Sequence, residues 1–168
     1  EGDLKNMQTT IRNLGMTKNT TPHANNAVVM DDILDMIDWA SDISVDAPKK
    51  SNINANIPTT RQIIEFTDRY MKENSRFTGY DASEGALYVL FMLALAMHPQ
   101  GPSIFAVDSF DHALNPRLAK KMIQVFCEQI IQNNKHVFLT THNPLVLDGL
   151  DLTNDDIRLF AVDRDDNG

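Results

Sequence analysis

Cysteine is nearly missing from this chain: Cys127 stands alone among 168 residues. No intrachain disulfide can form, which suits a reducing compartment and points to the cytoplasm. Long apolar runs are missing too. The longest uncharged one, GALYVLFMLALAM at 85–97, is too short for a membrane span and reads as a buried core helix. No signal-peptide pattern is visible, and no block of basic residues marks a membrane-surface binder. The formal net charge is −8. Such a chain is a poor binder of phosphate backbones by itself, so contact with nucleic acid would need a local patch, another part of the protein or a partner. The histidines His98, His112, His136 and His142 are spread out and form no metal-ligand cluster. No G-x-S-x-G nucleophile motif occurs.

What is present suits a globular domain, with 42% hydrophobic residues. The chain starts at Glu1 rather than methionine and ends in DRDDNG, so a fragment of a longer protein is expected. Residues 1–27 are polar and read as a loop or arm. Residues 28–43 read as a helix, with Ile33, Met36, Ile37 and Ala40 on one face and Asp31, Asp35 and Asp38 on a solvated one. A linker at 44–57 and a second helix at 60–74 follow, the latter striped by Ile63, Ile64, Phe66, Tyr70 and Met71. From residue 80 the pattern alternates: helix 83–98, strand 103–108, helix 116–133, strand 136–141, a helical turn at 144–149, and strand 156–162. Alternation of this kind predicts a parallel sheet with helical crossovers. The terminal DRDDNG has the spacing of half a calcium loop, but it follows a strand and reads as a hairpin turn.

The strand ends carry the chemistry. SIFAVD ends in Asp108 and VFLTTH runs out at His142. Ligands of open parallel sheets bind beyond the carboxyl ends of the strands, so a carboxylate and an imidazole are expected at one edge. Each alone reads first as a turn cap or a loop histidine; the pair in its matched context favours a site. In DASEGALYVL, Ser83 can cap a helix and Gly85 keeps its first turn open to an anion. Asn115-Pro116 is a good helix start.

Taken in order, ASEGA, IFAVDSFDHALNP and FLTTHNP resemble the C-terminal half of ABC-class ATPases, closest to the SMC/RecF-like branch of AAA-type ATP-binding proteins. Members of that branch serve DNA repair, chromosome structure and phage defence. The resemblance covers about 80–168. It implies that Ser83, Glu84 and Gly85 form the signature that touches ATP on an opposite subunit, and that Asp108 is the Walker B acid holding Mg²⁺. It further implies that His112 to Pro116, including Asn115, form the loop at a dimer interface, and that His142 senses the γ-phosphate.

Two departures qualify the resemblance. No G-x-x-x-x-G-K-[ST] loop occurs in these residues, so they should not hold ATP alone. The position after the Walker B acid, a glutamate in such ATPases, is Ser109, which is a poor base at neutral pH. Asp111 either replaces that glutamate in orienting water, or only caps the turn before Asn115-Pro116, or hydrolysis is slow and ATP mainly drives dimerisation.

The expected fold is α/β: a parallel sheet core with flanking helices over 80–168, of the P-loop NTPase ABC/SMC-type C-terminal lobe, preceded by a mostly helical segment over 1–79. The expected function is ATP binding and hydrolysis with Mg²⁺ in a homodimeric nucleotide sandwich, coupled to a nuclease or other effector partner. The alternative is an ATP-gated scaffold that does not hydrolyse. No membrane is involved.

Overall fold

The computed structural model describes residues 24–46, 62–71 and 75–163. Of the arm expected at 1–27, residues 24–27 are helical and the rest lie outside the described residues; of the linker expected at 44–57, residues 44–46 are strand and the rest lie outside; the terminal turn expected at 163–168 lies outside beyond Asp163. In chain order the elements are α1 (Ala24–Met36), β1 (Ala40–Asp46), β2 (Ile63–Asp68), β3 (Arg76–Thr78), α2 (Glu84–Met97), β4 (Ile104–Val107), α3 (Pro116–Gln132), β5 (His136–Leu139) and α4 (Pro144–Leu147). Strands β1, β2 and β3 form one antiparallel sheet in that order, and β4 pairs with β5 in a second, parallel one. This is a mixed α/β architecture.

The part before residue 80 differs from the expectation. The helix at 28–43 stops at Met36, and the chain turns into β1. Ile33, Met36, Ile37 and Ala40 are buried, and Asp31, Asp35 and Asp38 are exposed, as their helical spacing suggested. A bulge between Ala40 and Asp42 explains the misread boundary. The extra residue delays strand alternation by one, so Ala40 and Ile43 are both buried at a helix-like spacing of three. The helix at 60–74 is corrected to strand. Phe66 points into the core with Ile64 on the same face, Ile63 and Glu65 are buried on the other, and the β-branched pair Ile63-Ile64 with Phe66 and Thr67 suits a pleated surface. Asp68 ends β2 by accepting hydrogen bonds from the Tyr70 and Met71 amides at 2.7 and 3.0 Å. Tyr70 and Met71 are accordingly exposed.

Within this sheet Glu65 is only 2% exposed and is paired with Arg76 across β2 and β3, the guanidinium donating at 3.1 Å. Trp39 packs over Phe66, ring centres 5.4 Å apart.

From residue 80 the elements match the expectation more closely. Ser83 caps α2, its hydroxyl accepting from the Ala86 amide at 3.3 Å. Helix α2 buries Ala86, Val89, Leu90, Met92, Leu93, Ala94 and Ala96, which occupy more than one face, as an uncharged run requires. At its C-terminus the buried Lys135 amine donates to the Leu95 and His98 carbonyls at 2.7 and 2.8 Å. The Leu95 carbonyl is one that a helix end leaves unpaired, and the His98 carbonyl also accepts from the Gly101 amide at 3.0 Å.

Helix α3 starts at Pro116, with Asn115 accepting from the Leu118 amide at 2.9 Å. Its core face carries Ala119, Met122, Ile123, Val125, Phe126 and Ile130. Asn134, in the left-handed region at φ 51°, closes the helix, a conformation that asparagine tolerates. Lys121 ties α3 to α1 through Asp35 at 2.9 Å, and this contact holds the Asp35 carboxyl below its ordinary pKa.

One face of the β4–β5 sheet, with Phe105, Val107, Val137 and Leu139, packs on the core. On the other, Ile104 is 64% and Phe138 71% exposed. The strand expected at 156–162 does not form: Asp156 lies in a turn, the Ile157 amide donates to the Asn154 carbonyl at 3.1 Å, and the residues that follow belong to no ladder, with Leu159, Phe160 and Val162 exposed.

Candidate functional site

Strands β4 and β5 run parallel in the register Ile104 with His136 through Val107 with Leu139. Their carboxyl ends therefore lie side by side, and the chain leaves one as Asp108-Ser109 and the other as Thr140-Thr141-His142. This placement puts the Asp108 and His142 segments at one edge, as expected from their strand-end positions.

The turn after β4 is held from β5. The Thr140 amide donates to the Val107 carbonyl at 3.1 Å, and the Thr140 carbonyl accepts from the Phe110 amide at 2.9 Å. The Thr140 hydroxyl accepts from the Ser109 amide at 2.9 Å and donates to Asp108 Oδ1. Ser109 sits at φ 54°, in the left-handed region that serine rarely adopts.

The next residue, Phe110, is fully buried. Its ring lies 5.5 Å from that of Phe126 and 6.5 Å from that of Tyr88. This anchor fixes the loop between the two acids. Asp108 stays exposed on one side, and Asp111 is half-buried on the other. The Thr141 hydroxyl donates to Asp111 Oδ1 at 2.5 Å and accepts from the Asn143 amide at 3.1 Å. Asn143 in turn caps α4 by accepting from the Leu145 amide at 3.0 Å. The Asp111 side chain is therefore bonded to the segment that follows β5, and capping of α3 falls to Asn115.

Ser83, Glu84 and Gly85 begin α2 beside this loop. A β-carbon on Gly85 would meet the Ala113 carbonyl oxygen at 2.8 Å, so only glycine lets the two backbones come this close. The Tyr88 hydroxyl, one turn along α2, is buried without a hydrogen-bond partner among the described residues. Burial, and next the charge of Asp111, raise its pKa above the ordinary 10.0. His112 and His142 are exposed, and the His142 imidazole makes no hydrogen bond to another described residue.

The structure thus brings Asp108, Ser109, Asp111 and the start of α2 to one edge, with His142 two residues beyond Thr140. Asn115 serves the helix it caps. Thr140 and Thr141 were missed by reasoning from sequence. Two hydroxyl residues in succession at a strand's carboxyl end, opposite two acids, were the available signal.

The site's donors are hard oxygens. Asp108 and Asp111 each have one carboxylate oxygen held by a threonine, with the second making no hydrogen bond to a described residue. No cluster of three or more metal-ligating side chains exists among the described residues. Mg²⁺ takes one or two carboxylates and fills its octahedron with water and phosphate oxygens, so these residues fit that ion.

Among the described residues no helix is long and apolar enough to cross a membrane. A comparison with curated proteins gives no match. Residues 33–148 match the family described as "AAA domain, putative AbiEii toxin, Type IV TA system". That match spans more than half of the chain, from α1 to the end of α4, and the chain belongs to this family of AAA domains, a nucleotide-binding class.

Proposed function

We propose that this domain supplies the magnesium-directed and partner-facing half of an ATP site of the ABC-class, SMC/RecF-like kind. Asp108 directs Mg²⁺, Asp111 orients the attacking water in place of the absent glutamate, and His142 faces the γ-phosphate. Ser83–Gly85 serve ATP held by a second copy in a nucleotide sandwich. The bound MgATP supplies the phosphoryl group; the residues here position and neutralise. The 168 residues contain no G-x-x-x-x-G-K-[ST] loop, so this reading requires the phosphate cradle from a segment outside them.

The observation that carries the reading is the pair of carboxylates on the loop after β4, each held by a threonine from the end of its parallel neighbour β5. The toxin–antitoxin wording of the family description favours coupling to an effector in defence against phage. A homodimer, a nuclease partner and a cytoplasmic location belong to the same proposal.

A second reading is favoured by Ser109, which cannot act as a base. In it ATP binding gates assembly without turnover. Both are tested in the protein that joins this domain to a phosphate loop, by steady-state ATP hydrolysis and fluorescent-ATP binding for the wild type and Asp111→Asn. Turnover lost in the variant with binding kept supports Asp111 as the water-orienting group. Binding without turnover in the wild type supports the gated assembly. Failure of the wild type to bind ATP overturns both.

A further inference from the structure

We propose that Thr140 and Thr141 are positioning residues that aim Asp108 and Asp111, each threonine serving one carboxylate. The inference rests on the nucleotide-site reading above and adds two residues to it.

The argument is one of hydrogen-bond inventory. A threonine hydroxyl has a single proton and two lone pairs. In Thr140 the Ser109 amide occupies the acceptor side, and in Thr141 the Asn143 amide does. Each proton is thereby directed away from the backbone and onto a carboxylate: Asp108 Oδ1 for Thr140 and Asp111 Oδ1 for Thr141. With Oδ1 pinned, rotation of each carboxylate about its terminal bond is restricted and Oδ2 acquires a fixed direction. The backbone reinforces the arrangement, because Thr140 also bonds Val107 and Phe110 through its main chain. The acids lie three residues apart on a loop, yet both take their orientation from adjacent residues of the neighbouring strand's end. An ion or a water placed between phosphate and loop would then meet two oxygens whose positions are set by β5.

A purely structural role predicts the opposite mutational pattern, which makes the proposal testable. Valine keeps the branched shape of threonine and loses the hydroxyl; serine keeps the hydroxyl and loses the methyl. The experiment uses the full protein containing the phosphate loop, with T140V, T140S, T141V and T141S. Fluorescent-ATP binding is titrated with Mg²⁺, ATP turnover is measured at saturation, and melting temperatures identify any variant that does not fold. Loss of a group that orients a metal ligand costs about 10- to 100-fold in metal affinity or activity. T140V is expected to raise the Mg²⁺ concentration needed for ATP binding by about 10-fold, and T141V to lower kcat by about 10-fold with KM for ATP unchanged. The serine variants stay close to wild type. In nucleotide-free protein, hydrogen exchange of the Ser109 amide accelerates in T140V and not in T140S.

Valine variants that behave as wild type, or serine variants that are the damaged ones, overturn the proposal while ATP binding by the wild type keeps the nucleotide reading. Wild-type binding without turnover overturns the Thr141 half, and the Mg²⁺ requirement then decides the Thr140 half. No ATP binding by the wild type overturns the nucleotide reading and this inference with it.

Discussion

Gly85 and Ala113 touch backbone to backbone: a β-carbon on the first would stand 2.8 Å from the carbonyl oxygen of the second. The start of α2 and the loop that carries Asp111 are therefore one packed unit. Gly85→Ala would improve helix propensity by up to about 1 kcal/mol. The clash is with backbone, which cannot swing aside, and overpacking costs about 1–3 kcal/mol. A net fall in melting temperature is expected for Gly85→Ala. Gly79→Ala, whose added carbon would find only ordinary contacts from 3.6 Å outward, is expected to leave it nearly unchanged.

Ser109 offers a test of backbone strain at the site. A non-glycine residue in the left-handed region costs roughly 1–2 kcal/mol, and more when branched at the β-carbon. Ser109→Gly is expected to melt at or slightly above the wild-type temperature, because relief of strain and loss of chain entropy oppose one another. Ser109→Val is expected to melt well below it. Equal melting of the two variants would mean that the left-handed geometry is not retained in solution.

Lys135 links pH to the end of α2. Burial lowers its amine below the ordinary 10.5, so between the folded and unfolded values the unfolded chain binds more protons. Stability contributed at this residue therefore rises with pH as 10.5 is approached, and the burial penalty is fully present at pH 7. Lys135→Met removes the two bonds to Leu95 and His98 and is expected to cost about 1–3 kcal/mol at neutral pH. Urea titrations of both proteins should show a larger wild-type advantage as the pH approaches 10.5 than at pH 7.

Glu65 and Arg76 test a buried charge pair. Removing Arg76 strands a carboxylate that is 2% exposed, whereas removing both charges leaves no orphan. Breaking such a pair costs about 3–5 kcal/mol in deeply buried cases. The guanidinium here is partly solvated, so a smaller loss is expected. Chemical denaturation should find Arg76→Met less stable than the double variant Glu65→Leu/Arg76→Met; the reverse order would mean that Glu65 has another stabilising partner.

The second half of the chain was readable because each signal was local and redundant. Ser83 and Asn115 cap the helices they were expected to cap, Pro116 opens α3, and the uncharged run at 85–97 is the buried helix. The stretch before residue 80 misled for reasons that packing resolves. The bulge at Ser41 imitates a helical spacing, and in β2 the buried residue between Ile63 and Phe66 is Glu65, whose polarity hid the strand until Arg76 was seen beside it. The segment 156–162 has strand composition without a ladder, since pairing depends on a neighbour that composition does not specify. At the site, Asp108 and Asp111 were visible as acids after an apolar strand. Thr140 and Thr141 were not, because their role exists only once β4 and β5 are set side by side.

The four-pair register of β4 and β5 has an evolutionary consequence. Successive strand residues face opposite sides, so a change of one residue in the length of β5 would exchange its core and outer faces. The same change would put Leu139 or Thr141 in the place of Thr140, taking a hydroxyl from at least one acid or handing it to the other. This stretch can vary its letters but not its length, and among relatives gaps should fall elsewhere, after Gly149.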